Sequence, residues 1–176
     1  MKVNWTAFAV FAAILIGGLI VWLGRVDDPD ALIGPPAPRS GAPAPEFSLV
    51  DLNGDTHTLA DYRGQPVIIN FWATWCPPCR AEMPDLQQVY EKYEDDGLVI
   101  LAINQSESPN TVEDFADEYN LTFTIMIDNF QVSDTYEVMA YPSTYFIDRA
   151  GRIQHAEFSG PMSKSFIESQ VLDLLD

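Results

Sequence analysis

The sequence predicts a three-layer α/β sandwich with a mixed central sheet, preceded by one transmembrane helix. Three observations carry this reading. Apolar strand-like runs alternate with helix-period segments through the middle of the chain. A hairpin pattern and a final helix follow, and that order implies a mixed sheet with helices on both faces. Ahead of them stands Thr6 to Leu23, an uncharged apolar run of 18 residues.

As a helix that run would span about 27 Å, close to the hydrocarbon thickness of a bilayer. It is longer than a usual signal-peptide core, and no small-x-small cleavage site follows it directly. Residues 1–24 are therefore expected to form an uncleaved signal-anchor, with a cleaved signal peptide as the alternative. Lys2 before the run and Arg25 after it give little charge bias, and Asp27, Asp28 and Asp30 say little about topology. Cysteine chemistry orients it instead. A lone dithiol motif behind an anchor is most useful outside the reducing cytosol, so the bulk of the chain is expected on the extracytoplasmic side of the cell membrane.

From residue 25 to residue 45 the composition turns to Pro, Ala, Gly and Asp, as in the stretch Gly34 to Pro45. Such a segment is a tether with no apolar period, and extended it would reach about 70 Å. Residues 46–176 are long enough to bury a sound core.

Within this domain Glu46 to Leu52 and Asp55 to Leu59 read as two short strands about Asn53-Gly54. Val67 to Trp72, apolar except for Asn70, reads as a strand buried on both faces. A helix follows with Cys79, Met83, Leu86, Tyr90 and Tyr93 on one stripe; Pro84 should kink it and Gly97 end it. Leu98 to Asn104 is the next strand. Asn110 with Glu113 resembles a capping pair for a helix through Tyr119. A strand over Thr122 to Ile127 and a short helix over Val132 to Val138 come next. Ser143 to Ile147 and Ile153 to Phe158 form the hairpin about Asp148 to Gly151, and Ser163 to Leu175 is the closing helix.

The formal net charge is -17, from 26 acidic and 9 basic residues. That excludes nucleic acid as a partner and argues against docking on anionic lipid. It identifies no substrate.

The chemistry lies in Cys76-Pro77-Pro78-Cys79, the only two cysteines in the chain, at the junction of strand and helix. The thiolate is the reactive form, and a helix N-terminus favours it. A free cysteine is only roughly 3% ionised at pH 7, and one lowered to a pKa of about 7 is half ionised. Cys76 sits at the helix mouth and Cys79 on the core-facing stripe, which suggests Cys76 as the attacking thiol and Cys79 as the resolving one. A structural zinc site would want four ligands, and His57 and His155 are not at finger spacing. A static bridge over so small a loop would constrain little. Redox chemistry is the stronger reading, with no metal and no cofactor beyond the Cys76–Cys79 disulfide.

These residues resemble the thioredoxin superfamily, in its membrane-anchored TlpA/ResA-like branch. The matching pieces are Ala44 to Gly54, Asn70 to Pro84 and Tyr141 to Ile153, in order through nearly the whole domain. The resemblance implies a thioredoxin-like fold with a central strand–helix insertion between Cys79 and Pro142. It implies that Pro142 is cis and, with Trp75, Pro77, Pro78 and Tyr141, shapes a groove where a substrate backbone lies beside Cys76. It also implies a catalytic role for Glu82, at the position of a functional glutamate in ResA-like proteins. Asn70 stands where thioredoxin has a buried aspartate, and an amide cannot take the proton that Cys79 releases. The competing reading of Glu82 is an exposed first-turn carboxylate that stabilises the helix dipole. Trp72, Trp75 and Arg80 are expected around the site, Arg80 as a cation favouring the thiolate or simply a surface residue.

The resulting expectation is a membrane-tethered thiol-disulfide oxidoreductase that reduces protein disulfides. The resemblance implies apocytochrome c cysteines as substrate and a transmembrane thiol carrier as electron donor. A net oxidant of secreted proteins is the close alternative, and a non-enzymatic copper metallochaperone the one from another class. A peroxiredoxin-type peroxidase would need Pro at Ile69 and Thr or Ser at Ala73, and fails.

Overall fold

The computed structural model describes residues 38–157 and 160–175. The expected anchor and the linker up to residue 37 lie outside them. Among the described residues no helix is long and apolar enough to cross a membrane.

The elements follow in the order β1 (Ser48–Val50), β2 (Thr56–Thr58), β3 (Val67–Trp72), α1 (Pro77–Tyr93), β4 (Val99–Gln105), α2 (Pro109–Tyr119) and β5 (Thr124–Asp128). Then come α3 (Gln131–Thr135), β6 (Ser143–Ile147), β7 (Ile153–Glu157) and α4 (Lys164–Leu175). Five strands make a sheet in the order β5-β4-β3-β6-β7, and β1 and β2 pair separately as a hairpin. β3 runs parallel to β4 and antiparallel to β6, with Asn70 opposite Ala102 and Thr144. The sheet is mixed, as the terminal hairpin predicts.

Alternation along β3 sorts its side chains between two cores. Ile68 and Trp72 join Met83, Leu86 and Val89 of α1, Val112 and Phe115 of α2, and Ile167 and Val171 of α4. Val67, Ile69 and Phe71 face Phe47, Leu59, Val132, Tyr136 and Tyr145. Each such aliphatic or aromatic side chain, fully buried, contributes about 1.5–3 kcal/mol. Among the described residues the second face is covered by the segment before β1, by Leu59 and by the short α3, with no long helix there.

Three local expectations change. Residues 41–45, read as linker, are paired onto the strand at residues 152–153: Gly41 N–H donates to Ile153 O at 2.7 Å and Ile153 N–H to Ala42 O at 3.0 Å. Ala44 is buried with them. These are backbone bonds, which a Pro/Ala-rich composition does not reveal. The β1–β2 connection spans residues 51–55, because the Asp51 carboxylate accepts the N–H groups of Asn53 and Asp55 at 2.9 Å and widens the turn. Ser108, not Asn110, caps α2, with Thr111 N–H donating to its hydroxyl and a proline at the helix start. As expected, Pro84 lies inside α1, which continues to Tyr93.

Gly151, in the β6–β7 turn, has φ +78, and a Cβ there would lie 1.2 Å from Arg63 Nη1. The Arg63 guanidinium bonds the Glu46 carboxylate and can swing away, so the backbone conformation dominates the cost. We expect Gly151→Ala to destabilise the fold by about 1–2 kcal/mol, read as a lower urea midpoint at unchanged slope.

Candidate active site

The end of β3 and the start of α1 place the two cysteines. Cys76 is the N-cap of α1, with extended backbone at φ -84 and ψ 109. Its sulfur is joined to Cys79, with Cα atoms 5.3 Å apart. Cys76 keeps 3% of its surface and Cys79 none, so an incoming group meets Cys76 first.

The electrostatics at the helix mouth follow from the two prolines. Pro77 and Pro78 occupy the first two positions of α1 and carry no N–H. Arg80 N–H bonds Cys76 O at 3.1 Å. The Cys79 N–H remains, and it donates to Cys76 Sγ at 3.2 Å. Within the first turn, one amide faces the sulfur where a helix start usually offers several.

Of the two expectations for Arg80, the surface one fits its contacts. Its guanidinium lies over the rings of Phe115 and Tyr119, at 5.1 and 5.3 Å, and pairs with Glu118 at 3.5 Å. It also donates to Thr74 O at 3.3 Å. This cation is partnered on α2. Trp72 is fully buried against Phe115, ring centres 4.9 Å apart, and serves the core. Trp75 is 64% exposed.

The Tyr141–Pro142 bond is cis, as the resemblance implied. Tyr141 meets Trp75 edge to face at 6.0 Å, which brings the two groove candidates together. Its hydroxyl donates to Gln105 Oε1 at 3.1 Å, and Ser143 Oγ donates to Ala140 O at 2.7 Å. Both bonds hold the loop around Pro142.

Glu82 is fully buried on the same face of α1 as Cys79, so the exposed-carboxylate reading is excluded. Asn70 Nδ2 donates to its Oε1 at 2.8 Å, and Met162 N–H to its Oε2 at 3.1 Å. Asn70 Nδ2 also donates to Thr144 Oγ1 at 2.9 Å, tying β3, β6 and α1 at one point. Burial pushes the Glu82 carboxyl up to about 7, against the pull of its two hydrogen bonds and with help from the charge of Glu157. Met162 also lines a cavity of about 350 Å³ together with Glu157 and Phe166.

Three participants left no signal in the sequence. Thr144 and the Met162 amide reach Asn70 and Glu82 only through strand pairing and a distant loop. The Glu107 carboxylate accepts Thr74 N–H at 2.7 Å and Asn104 Nδ2 at 2.8 Å, fixing the loop before Cys76 from 33 residues away. His57 and His155 lie on β2 and β7, as expected of residues apart from the dithiol.

Comparison with known proteins bears on this site. The AhpC/TSA family model matches residues 40–156. A thiol-disulfide oxidoreductase ResA of Geobacillus kaustophilus is 45% identical over 129 residues, 73% of this chain and 74% of that protein. The thioredoxin-like protein YneN of Bacillus subtilis is 44% identical over 139 residues, covering 77% and 80%. Among solved structures, a putative thiol:disulfide interchange protein DsbE from Chlorobium tepidum superposes with a TM-score of 0.73 at 30% identity, over 78% of this chain and 99% of that one. A secreted disulfide oxidoreductase of Mycobacterium tuberculosis gives 0.68 at 27%, over 73% and 96%.

Proposed function

Because the chain belongs to the thioredoxin-like AhpC/TSA family and is a thiol-disulfide oxidoreductase of the ResA/DsbE type, we propose that it works as a reductase of protein disulfides. The observation that carries the direction is the single amide facing Cys76 Sγ. A strongly oxidising dithiol is one whose reduced form is stabilised. Here two prolines remove amides from the helix mouth, and Arg80 is paired elsewhere. With the helix dipole and one N–H as its support in that first turn, the reduced pair is held less strongly than at a helix mouth with its full set of amides, which favours giving electrons up.

In the reductive half-cycle the Cys76 thiolate attacks one sulfur of a substrate disulfide. A Cys76–substrate disulfide forms and the other substrate sulfur leaves as a thiolate. Cys79 then loses its proton to the Glu82 carboxylate and attacks Cys76 Sγ. The substrate's second sulfur leaves, the Cys76–Cys79 disulfide remains, and two electrons have passed to the substrate. Glu82 passes the proton on to solvent before the next cycle. A dithiol donor returns the protein to its reduced form.

Direct measurement tests the direction. We expect the Cys76–Cys79 couple to equilibrate with glutathione or dithiothreitol nearer thioredoxin's potential of about −270 mV than DsbA's of about −120 mV. A value near the latter would make it the net oxidant of the alternative reading. Copper titration of the reduced protein addresses the metallochaperone alternative: tight stoichiometric binding without insulin reductase activity would favour it.

The family resemblance and the apolar run at residues 6–23 support tethering in the cell membrane, with the dithiol outside the cytoplasm. A transmembrane thiol carrier then supplies the electrons, and apocytochrome c cysteines are the candidate substrate. Retention in membranes after alkaline washing, with protease access from the outside of the cell, would be the expected result.

A further inference from the structure

Between Lys92 and Arg149 the chain contains no Lys, Arg or His. That stretch builds β4, α2, β5, α3 and the loop into Pro142. The segment leading into the cis bond therefore carries no cation of its own, and the Arg80 guanidinium of α1, which lies on α2, is paired with Glu118.

Within this segment α3 is pinned in place. The fully buried Asp128 carboxylate accepts the N–H groups of Gln131 and Val132 at 3.1 Å and of Ser133 at 2.8 Å. Beyond the helix Glu137 adopts φ +53. Asp134, Glu137, Val138 and Met139 surround an open cavity of about 450 Å³. Met139 is 94% exposed. Two residues on, Tyr141 lies against Trp75, one residue before Cys76. Burial first, then the charges of Asp128 and Asp134, hold the Tyr141 phenol above the usual tyrosine range.

An exposed Met on the segment leading into the cis bond and an exposed Trp next to the reactive cysteine offer apolar contact area, and Met adapts to varied shapes. Carboxylates at the rim add the charge that a partner must complement. We propose that this surface selects disulfide-bearing polypeptide segments whose target cysteine is flanked, within a few residues, by an apolar side chain and by Lys or Arg. The inference rests on the reductase reading of the dithiol and adds the class of sequence it accepts.

Competition from the overall negative charge is the main confounder, and screening separates the two. At physiological salt the Debye length is about 8 Å, so carboxylates on the groove act while distant ones are damped. Asp95 and Asp96 form a control pair, just past the far end of the 17-residue α1, about 25 Å along the helix from Cys76.

The test uses the full-length protein in detergent, reduced beforehand. Its probes are two synthetic disulfide peptides that differ only in Lys or Glu beside a Leu-flanked cysteine, plus hydroxyethyl disulfide as a small neutral substrate. We expect kcat/KM for the Lys peptide to exceed that for the Glu peptide about tenfold at 50 mM salt, and the ratio to approach one at 500 mM. Asp134→Asn with Glu137→Gln should cut the ratio about threefold or more, whereas Asp95→Asn with Asp96→Asn should leave it in place. Met139→Ser should slow both peptides about fivefold while preserving the ratio. Equal rates for the two peptides, or an equal effect of the control pair, would overturn the selection while leaving turnover of hydroxyethyl disulfide intact. Failure to reduce any of the three would instead remove the reductase reading, and the selection with it.

Discussion

Cys79→Ala is expected to turn the protein into a trap. Cys76 still attacks, but nothing within the molecule displaces the bound substrate, and the mixed disulfide accumulates. Intramolecular attack by a positioned group has an effective concentration of about 10⁵ M or more, so external thiol at millimolar levels cannot replace it. Steady-state reductase turnover should fall by at least about a thousandfold. Non-reducing electrophoresis of cells expressing the variant should show covalent adducts that dithiothreitol dissolves. Cys76→Ser should show neither adducts nor turnover. Adducts forming equally on a Cys76→Ser protein through Cys79 would reverse the assignment, against the complete burial of Cys79.

The second large effect concerns Glu82, whose carboxyl titrates near 7 in the fold and would titrate near 4.5 without it. Below 4.5 it is protonated in both folded and unfolded chains, and its contribution to stability is fully present. Between 4.5 and 7 the folded chain holds a proton that the unfolded chain has released, so stability falls as pH rises, by about 1.4 kcal/mol per unit. Above 7 the folded state carries the whole cost of the buried charge, about 3 kcal/mol. Glu82→Gln should flatten this slope, measured as unfolding free energy from pH 4.5 to 8. The same variant should lose about a hundredfold in reductase rate at neutral pH, because the proton of Cys79 has no acceptor. A flattened stability profile with an unchanged rate would make Glu82 a buried structural carboxyl with no part in the chemistry.

Much of the fold was legible because it repeats short-range rules. The run from Val67 to Trp72 and the stripe Cys79, Met83, Leu86 announce a buried strand and the helix packed on it, and both are found there. The redox centre was legible too, since the only two cysteines fall where the apolar strand run gives way to the helical stripe. What the sequence hid was long-range or carried by backbone. Residues 41–45 bond a strand over a hundred residues away through amides and carbonyls that any composition supplies. Ser108 displaced Asn110 as the cap because Pro109 takes the first helical position, where its missing N–H costs nothing.

Local sequence by itself determined that this chain carries a dithiol at a helix mouth, with one thiol outermost and the other beneath it. It fixed the strand and helix pattern too, because period and spacing are properties of neighbours. Tertiary structure alone decided what surrounds the sulfurs. It buried Glu82 between Asn70 and the Met162 amide, turned Arg80 onto Phe115 and Tyr119, and set Trp75 against Tyr141. Desolvation and charge depend on which distant segments converge at a point, and that convergence exists only once the chain has closed on itself.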